Sequence, residues 1–128
     1  MIRDILNASS KRTGMIGTIY NTYADVEIES TRTSPESLDL QKLLREMVDA
    51  NMEYVVIEVS SHALALNRVY GLHFIISVFT NLSEEHLDFH ENMENYLSAK
   101  AKLFEMSDFA MINGDDIYTP RLKKMINC

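Results

Sequence analysis

Apolar residues along the chain recur at spacings that spell out alternating helices and strands. Ile2, Ile5 and Leu6 fall at i, i+3 and i+4, the spacing of one helix face, so residues 1–9 read as a helix. Residues 13–20 and 24–29 read as short strands, the second alternating with acids. The loop T-R-T-S-P-E-S at 31–37 runs into a helix start, where Ser34 is placed to cap, Pro35 suits the first helical position and Glu36 complements the positive helix end. Leu40, Leu43, Leu44, Met47 and Val48 then form an amphipathic stripe that predicts a helix over 35–50. Y-V-V-I-E-V at 54–59 and F-I-I-S-V-F-T at 74–80 are nearly continuous apolar runs, which predict strands covered on both faces. Between them a short helix starts at Ser60. Asn92 caps a helix over 93–106, residues 109–113 form another strand, and 116–127 a final basic helix. Strands alternating with helices predict an α/β fold with a mostly parallel sheet flanked by helices.

Length and composition narrow the class. A chain of 128 residues is one domain's worth, and 46% hydrophobic with 24% charged residues excludes wholesale disorder. Nineteen acids against twelve basic residues give a net charge of -7, which argues against a nucleic-acid partner. No apolar run approaches the roughly 20 residues of a membrane span, and the acid in M-I-R-D-I-L-N speaks against a signal peptide. The single cysteine, Cys128, has no pairing partner within the chain, which fits a reducing compartment and a cytoplasmic protein.

Candidate chemistry gathers where predicted strands end in polar residues, E-V-S-S-H at 58–62 and T-N-L-S-E-E-H-L-D-F-H at 80–90. Glu58 lies in an apolar run, where a lone carboxylate is costly unless it is paired, metal-bound or reaches water at the strand end. His86, Asp88 and His90 alternate, so an extended segment would place all three on one face, as metal ligands or as a polar surface loop. His62 by itself reads as a hydrogen-bonded structural histidine. On the helix from 93, Met93, Tyr96, Leu97, Leu103 and Phe104 mark the inward stripe, and Lys100 falls on it while Lys102 falls off. An inward lysine either snorkels to water or meets an anion, and burial lowers its pKa. Such a partly deprotonated amine is a nucleophile, even toward carbon dioxide. Arg32 and Arg68 suit a carboxylate or phosphate, and Thr33, Ser34 and Ser60 sit at helix starts, where they either cap or hold an anion. The four glycines, at 14, 17, 71 and 114, nowhere fit G-x-x-x-x-G-K-[ST].

Four segments, T-S-P-E-S-L-D-L-Q, I-E-V-S-S-H-A-L-x-x-x-R-V, V-F-T-N-L-S-E-E-H-L-D-F-H and M-E-N-Y-L-S-A-K-A-K-L-F, resemble the central domain of the Mur ligases, nearest the MurE branch, in order and at the expected spacing over about residues 1–116. The resemblance implies an incomplete P-loop NTPase-like central domain and an ATP-dependent ligase of peptidoglycan synthesis. Such enzymes phosphorylate the D-glutamate carboxylate of a UDP-N-acetylmuramoyl dipeptide, and the amine of a diamino acid then attacks the acyl phosphate. Carried over by motif, Glu58 and His86 would ligate Mg2+. Lys100 would be a carbamylated lysine serving the same site, and Thr33, Ser34, Ser60 and Arg68 would contact the UDP-muramoyl substrate. Arg32 stands where the family usually has asparagine, and Leu66 where some members have glutamine, so those two contacts do not carry over.

In this family the P-loop precedes the helix that opens this chain. The resemblance therefore implies a fragment without the P-loop, the UDP-binding domain or the C-terminal domain, inactive alone. Two other readings remain: a non-catalytic module that self-associates through an unpaired sheet edge, and a small metal-dependent hydrolase built on His86, Asp88 and His90.

Overall fold

The computed structural model describes residues 1–126. Asn127, the last residue of the predicted basic helix, and Cys128 lie outside the described residues. In chain order the elements are α1 (Ile2–Ala8), β1 (Thr13–Ile16), β2 (Tyr20–Tyr23), β3 (Val26–Glu29), α2 (Ser37–Asp49), β4 (Tyr54–Ile57), α3 (Ser61–Ala65), β5 (Phe74–Phe79), α4 (Leu87–His90), α5 (Met93–Glu105), β6 (Ser107–Ile112) and α6 (Thr119–Met125). The α/β architecture is the one the alternation predicts.

The strands form two sheets, one of order β3-β2-β1-β4 and one pairing β5 with β6. β1 runs parallel to β4 and β5 parallel to β6, while β1-β2-β3 is an antiparallel meander. The meander corrects the expectation of one strand over 13–20. The chain leaves β1 at Gly17 and re-enters as β2 at Tyr20, so what the apolar pattern merges is two strands and a turn. The expectation that both apolar runs are covered on two faces also needs correction. Ile75, Ile76 and Val78 of β5 and Phe109 and Met111 of β6 are exposed, while Ser77 and Phe79 are buried.

Two hydrophobic clusters hold the fold. Ile16, Leu40, Leu43, Met47, Leu64 and Val69 pack between the first sheet, α2 and α3. Phe79, Leu82, Tyr96, Leu97, Ala101, Phe104 and Leu122 pack between the second sheet, α5 and α6. α5 joins them, because Leu103 and the adjoining Met106 pack against the first cluster while Tyr96, Leu97 and Phe104 build the second. Removing these side chains from water, at about 25 cal/mol per Å² of apolar area, is what holds α5 in place. The stripe of α1 behaves differently: Ile2 and Ile5 remain exposed.

Capping explains the helix starts unevenly. Asn92 accepts from the Asn95 amide at 2.9 Å and Ser60 from the Ala63 amide at 3.2 Å, as the sequence predicts for α5 and α3. α2 starts two residues later than predicted, at Ser37, with Glu36 as the flanking residue and no side-chain cap. Ser34 does not cap it; its hydroxyl is used elsewhere, as described below.

The β2-β3 hairpin turns through Ala24 and Asp25, and exposed Ala24 adopts φ +47°. That left-handed conformation crowds a Cβ and is free for glycine. Ala24→Gly is expected to stabilise the chain by up to about 1 kcal/mol, read as a higher midpoint in urea or thermal unfolding. An unchanged or lower midpoint would contradict the strain assigned to this turn.

Candidate functional site

The polar residues singled out above collect around the carboxyl ends of β4 and β5. β4 ends at Ile57, so Glu58 stands one residue beyond it and is exposed. Of the alternatives the apolar run left open, Glu58 is a carboxylate that reaches water at the strand end and is also hydrogen-bonded. Its Oε2 accepts from the Thr18 amide at 2.8 Å and from the Thr18 hydroxyl at 2.7 Å. The Thr18 hydroxyl in turn lies 3.2 Å from that of Thr33. Both donors fall on Oε2, so the carboxylate is tied to the β1-β2 turn through one of its two oxygens.

Behind Glu58 sits a smaller network. Ser34 is 1% exposed; its Oγ donates to the Glu58 carbonyl at 3.0 Å and accepts from the Ser60 amide at 3.0 Å. Thr33, Ser34, Glu58 and Ser60 are thus tied together, with Ser34 as the buried post between the loop before α2 and the start of α3. Arg68 belongs to the same side. Its side chain is 14% exposed and pairs with Glu36 at 2.8 Å, and Glu36 also pairs with Arg32.

The second half of the site is built on α4, a four-residue helix the sequence reading missed. His86 flanks it at φ +58° and Glu91 closes it at φ +67°. Neither is glycine, and each such position costs on the order of 1–3 kcal/mol. Backbone strain of this kind concentrates where geometry serves function, and here it brackets the H-L-D-F-H segment. Because that segment is helical, His86, Asp88 and His90 do not share one face of an extended strand. His86 and Asp88 are exposed, while His90 is buried. Among the described residues no group of three or more His, Cys, Asp and Glu is arranged to hold a metal ion. The three-ligand site behind the hydrolase reading is therefore not formed.

What forms instead is an aromatic cluster. The His62 ring meets His86 edge-on at 5.0 Å and lies 5.6 Å from His90. His86 meets Tyr96 edge-on at 6.1 Å, and Lys100 Nζ lies 5.5 Å from the centre of the Tyr96 ring. His86, flanking α4, and Lys100, on α5, thereby converge on one tyrosine. His62 and His90 are both held below the ordinary imidazole value, first by burial and then by neighbouring imidazoles.

Lys100 is half-buried on the inward stripe of α5, as its spacing predicts. Burial pulls its pKa below the ordinary lysine value, and the Glu85 carboxylate opposes that only in part. An amine with a lowered pKa and one aromatic face beside it is chemically competent as a nucleophile. Thr18, the His90 contacts and α4 itself were missed by sequence reasoning. The His86/His90 and Tyr96/Lys100 spacings, both i, i+4, were the available signals.

These residues sit in a chain with clear relatives. The Mur ligase middle domain matches residues 1–128. The UDP-N-acetylmuramoyl-L-alanyl-D-glutamate--2,6-diaminopimelate ligase of Clostridium perfringens is 49% identical over 126 residues, 98% of this chain and 26% of its own length. The ligase of the same name from Caldanaerobacter subterraneus subsp. tengcongensis is 52% identical over 120 residues, 93% of this chain and 25% of its own. A solved structure of a ligase of that name superimposes with a TM-score of 0.88 at 30% identity, covering 97% of this chain and 25% of the other. The chain spans about a quarter of the length of these relatives. No helix among the described residues is long and apolar enough to cross a membrane.

Replacing the half-buried amine tests its electrostatics directly. With the folded-state pKa of Lys100 lowered, the unfolded chain binds more protons than the folded chain between that value and the ordinary lysine pKa, so wild-type stability rises with pH through that window. Lys100→Met is expected to raise the melting temperature at neutral pH, with the gain shrinking as pH approaches 10. A gain independent of pH, or a loss at neutral pH, would contradict a destabilising buried cation.

Proposed function

The chain belongs to the Mur ligase family through its middle domain, and on that premise we propose that it supplies the magnesium and muramoyl-substrate side of the active site of an ATP-dependent ligase. The reaction class is the joining of a diamino acid to UDP-N-acetylmuramoyl-L-Ala-D-Glu, in the cytoplasm, for peptidoglycan synthesis. The observation that carries the reading is the convergence of His86 and the half-buried Lys100 on Tyr96. The names of the ligases it matches, 2,6-diaminopimelate ligases, support the substrate class.

The donor set fits Mg2+. Glu58 and His86 are both exposed at strand and helix ends, and a carbamate on Lys100 would add hard oxygen donors. A hexacoordinate cation that retains several waters needs few protein ligands. Bound there, Mg2+ would neutralise phosphate charge as ATP phosphorylates the D-glutamate carboxylate. The chain's own residues hold and orient. Thr18 fixes the Glu58 carboxylate, and Ser34 locks the loop of Thr33 to Ser60 so that their hydroxyls face the muramoyl substrate. Arg68, held by Glu36, presents a guanidinium suited to a carboxylate or phosphate oxygen. At Lys100 the neutral amine adds to carbon dioxide, forming an N–C bond and releasing one proton to give the carbamate.

A second reading, a non-catalytic module that associates with itself, draws on the exposed Ile76, Val78, Phe109 and Met111 face. Sedimentation across concentrations separates it: a monomer throughout removes it.

The ligase reading is tested by exchanging this chain for the matching quarter of the Clostridium perfringens ligase. The chimera should ligate only with ATP, and the 128-residue chain alone should not. Lys100→Ala in the chimera should lower turnover by about 100-fold or more, the scale of losing one charge-stabilising group, with partial rescue by added short carboxylates. Undiminished turnover in Lys100→Ala would remove the role given to Lys100.

A further inference from the structure

One buried ionisable side chain takes no part in the roles above. His90 is 5% exposed, and in the helical α4 it is turned away from solvent-facing His86 and Asp88. Its Nε2 lies 2.8 Å from the Ser61 hydroxyl, at the first residue of α3. Its ring stacks on Tyr96 at 4.8 Å with an interplanar angle of 9°. Its carbonyl accepts from Asn95 Nδ2 at 3.0 Å. His90 therefore touches α3 through its nitrogen and α5 through its ring and its carbonyl, from a four-residue helix strained at both ends. Tyr96 is 2% exposed, and Lys100 Nζ stands over its ring.

We propose that His90 is a positioning residue: by stacking on Tyr96 and bonding Ser61, it fixes the plane of the tyrosine ring against which Lys100 is held, and couples that ring to the start of α3. The apolar cluster holds the Tyr96 side chain in place, and the tilt of its ring is then set by what lies flat against it. Parallel stacking on an imidazole anchored at Nε2 fixes that tilt, and so sets the direction of the face offered to the ammonium or amine. Because Ser61 follows Ser60, the same anchor sets the position of the α3 start relative to Lys100. The catalytic meaning of this placement rests on the reading of Lys100 as the carbamate-bearing lysine; the placement itself does not.

The test uses the full 128-residue chain, with the Lys100 Hε protons observed by NMR, since protons over a tyrosine face are shifted upfield by its ring current. His90→Ala should move those protons back toward their random-coil position while the amide spectrum stays folded. Two further variants separate stacking from fold maintenance and decide the matter if His90→Ala unfolds. His90→Phe keeps a flat ring and should retain the upfield shift, whereas His90→Gln keeps a hydrogen-bonding side chain for Ser61 and should lose it. Lys100 Hε protons unchanged in His90→Ala, or displaced equally in the Phe and Gln variants, would overturn the proposal.

In the Clostridium perfringens chimera, His90→Gln should lower kcat severalfold with little change in KM, and His90→Phe should restore most of it. An inactive parent chimera alongside the expected NMR shifts would count against the ligase reading and leave the positioning role standing. An active chimera with unaltered Lys100 shifts in His90→Gln would do the reverse.

Discussion

The packing of α5 between two hydrophobic clusters is the constraint on which the site depends. Tyr96, Leu97, Ala101 and Phe104 are committed to one cluster and Leu103 to the other, so the helix can neither rotate nor slide without opening both. A rotation of one residue, about 100°, would carry Lys100 out to solvent. The lysine is therefore held half-buried by apolar contacts made elsewhere on the same helix. The lowering of its pKa and its approach to Tyr96 both follow from that hold.

Around this fixed point the polar groups are arranged in two sets with different mechanics. Glu58, Thr18, Thr33, Ser34 and Ser60 form a hydrogen-bonded set at the end of β4, in which buried Ser34 joins two loops. His62, His86, His90, Tyr96 and Lys100 form a second set, joined mainly by stacking and edge contacts and tied to α3 by the hydrogen bond between His90 and Ser61. α3 links the sets, since Ser60 belongs to the first and Ser61 and His62 to the second. The first set is rich in hydroxyl and carboxylate oxygens, and the second holds an amine whose pKa burial lowers. In the proposed function the two sets serve together, the first toward the cation and the muramoyl substrate and the second through Lys100.

The legible parts of the sequence were those where one local rule dominates. The stripe of α5 and its Asn92 cap were readable because a 3.6-residue period and a capping side chain agree, and Lys100 stood out against that period. The motifs around Glu58 and His86 carried the family resemblance. The Gly17–Ile19 turn was missed because apolar residues continue on both sides of it and two strands share one run, although Gly17 was the available signal. α4 was hidden for a different reason: alternating His86, Asp88 and His90 mimic a strand period, whereas the four-residue helix is too short to show a period of its own. The bare faces of β5 and β6 show the limit of composition. Apolar runs reveal a tendency to be buried, not what lies against them.

The most direct measurement is carbon-13 NMR of the Clostridium perfringens chimera equilibrated with labelled bicarbonate, beside its Lys100→Ala counterpart. The expected result is a carbamate carbon signal correlated with Lys100 Nζ, absent in Lys100→Ala. A chimera that ligates while showing no such signal would contradict the placement of Lys100 at the centre of the site.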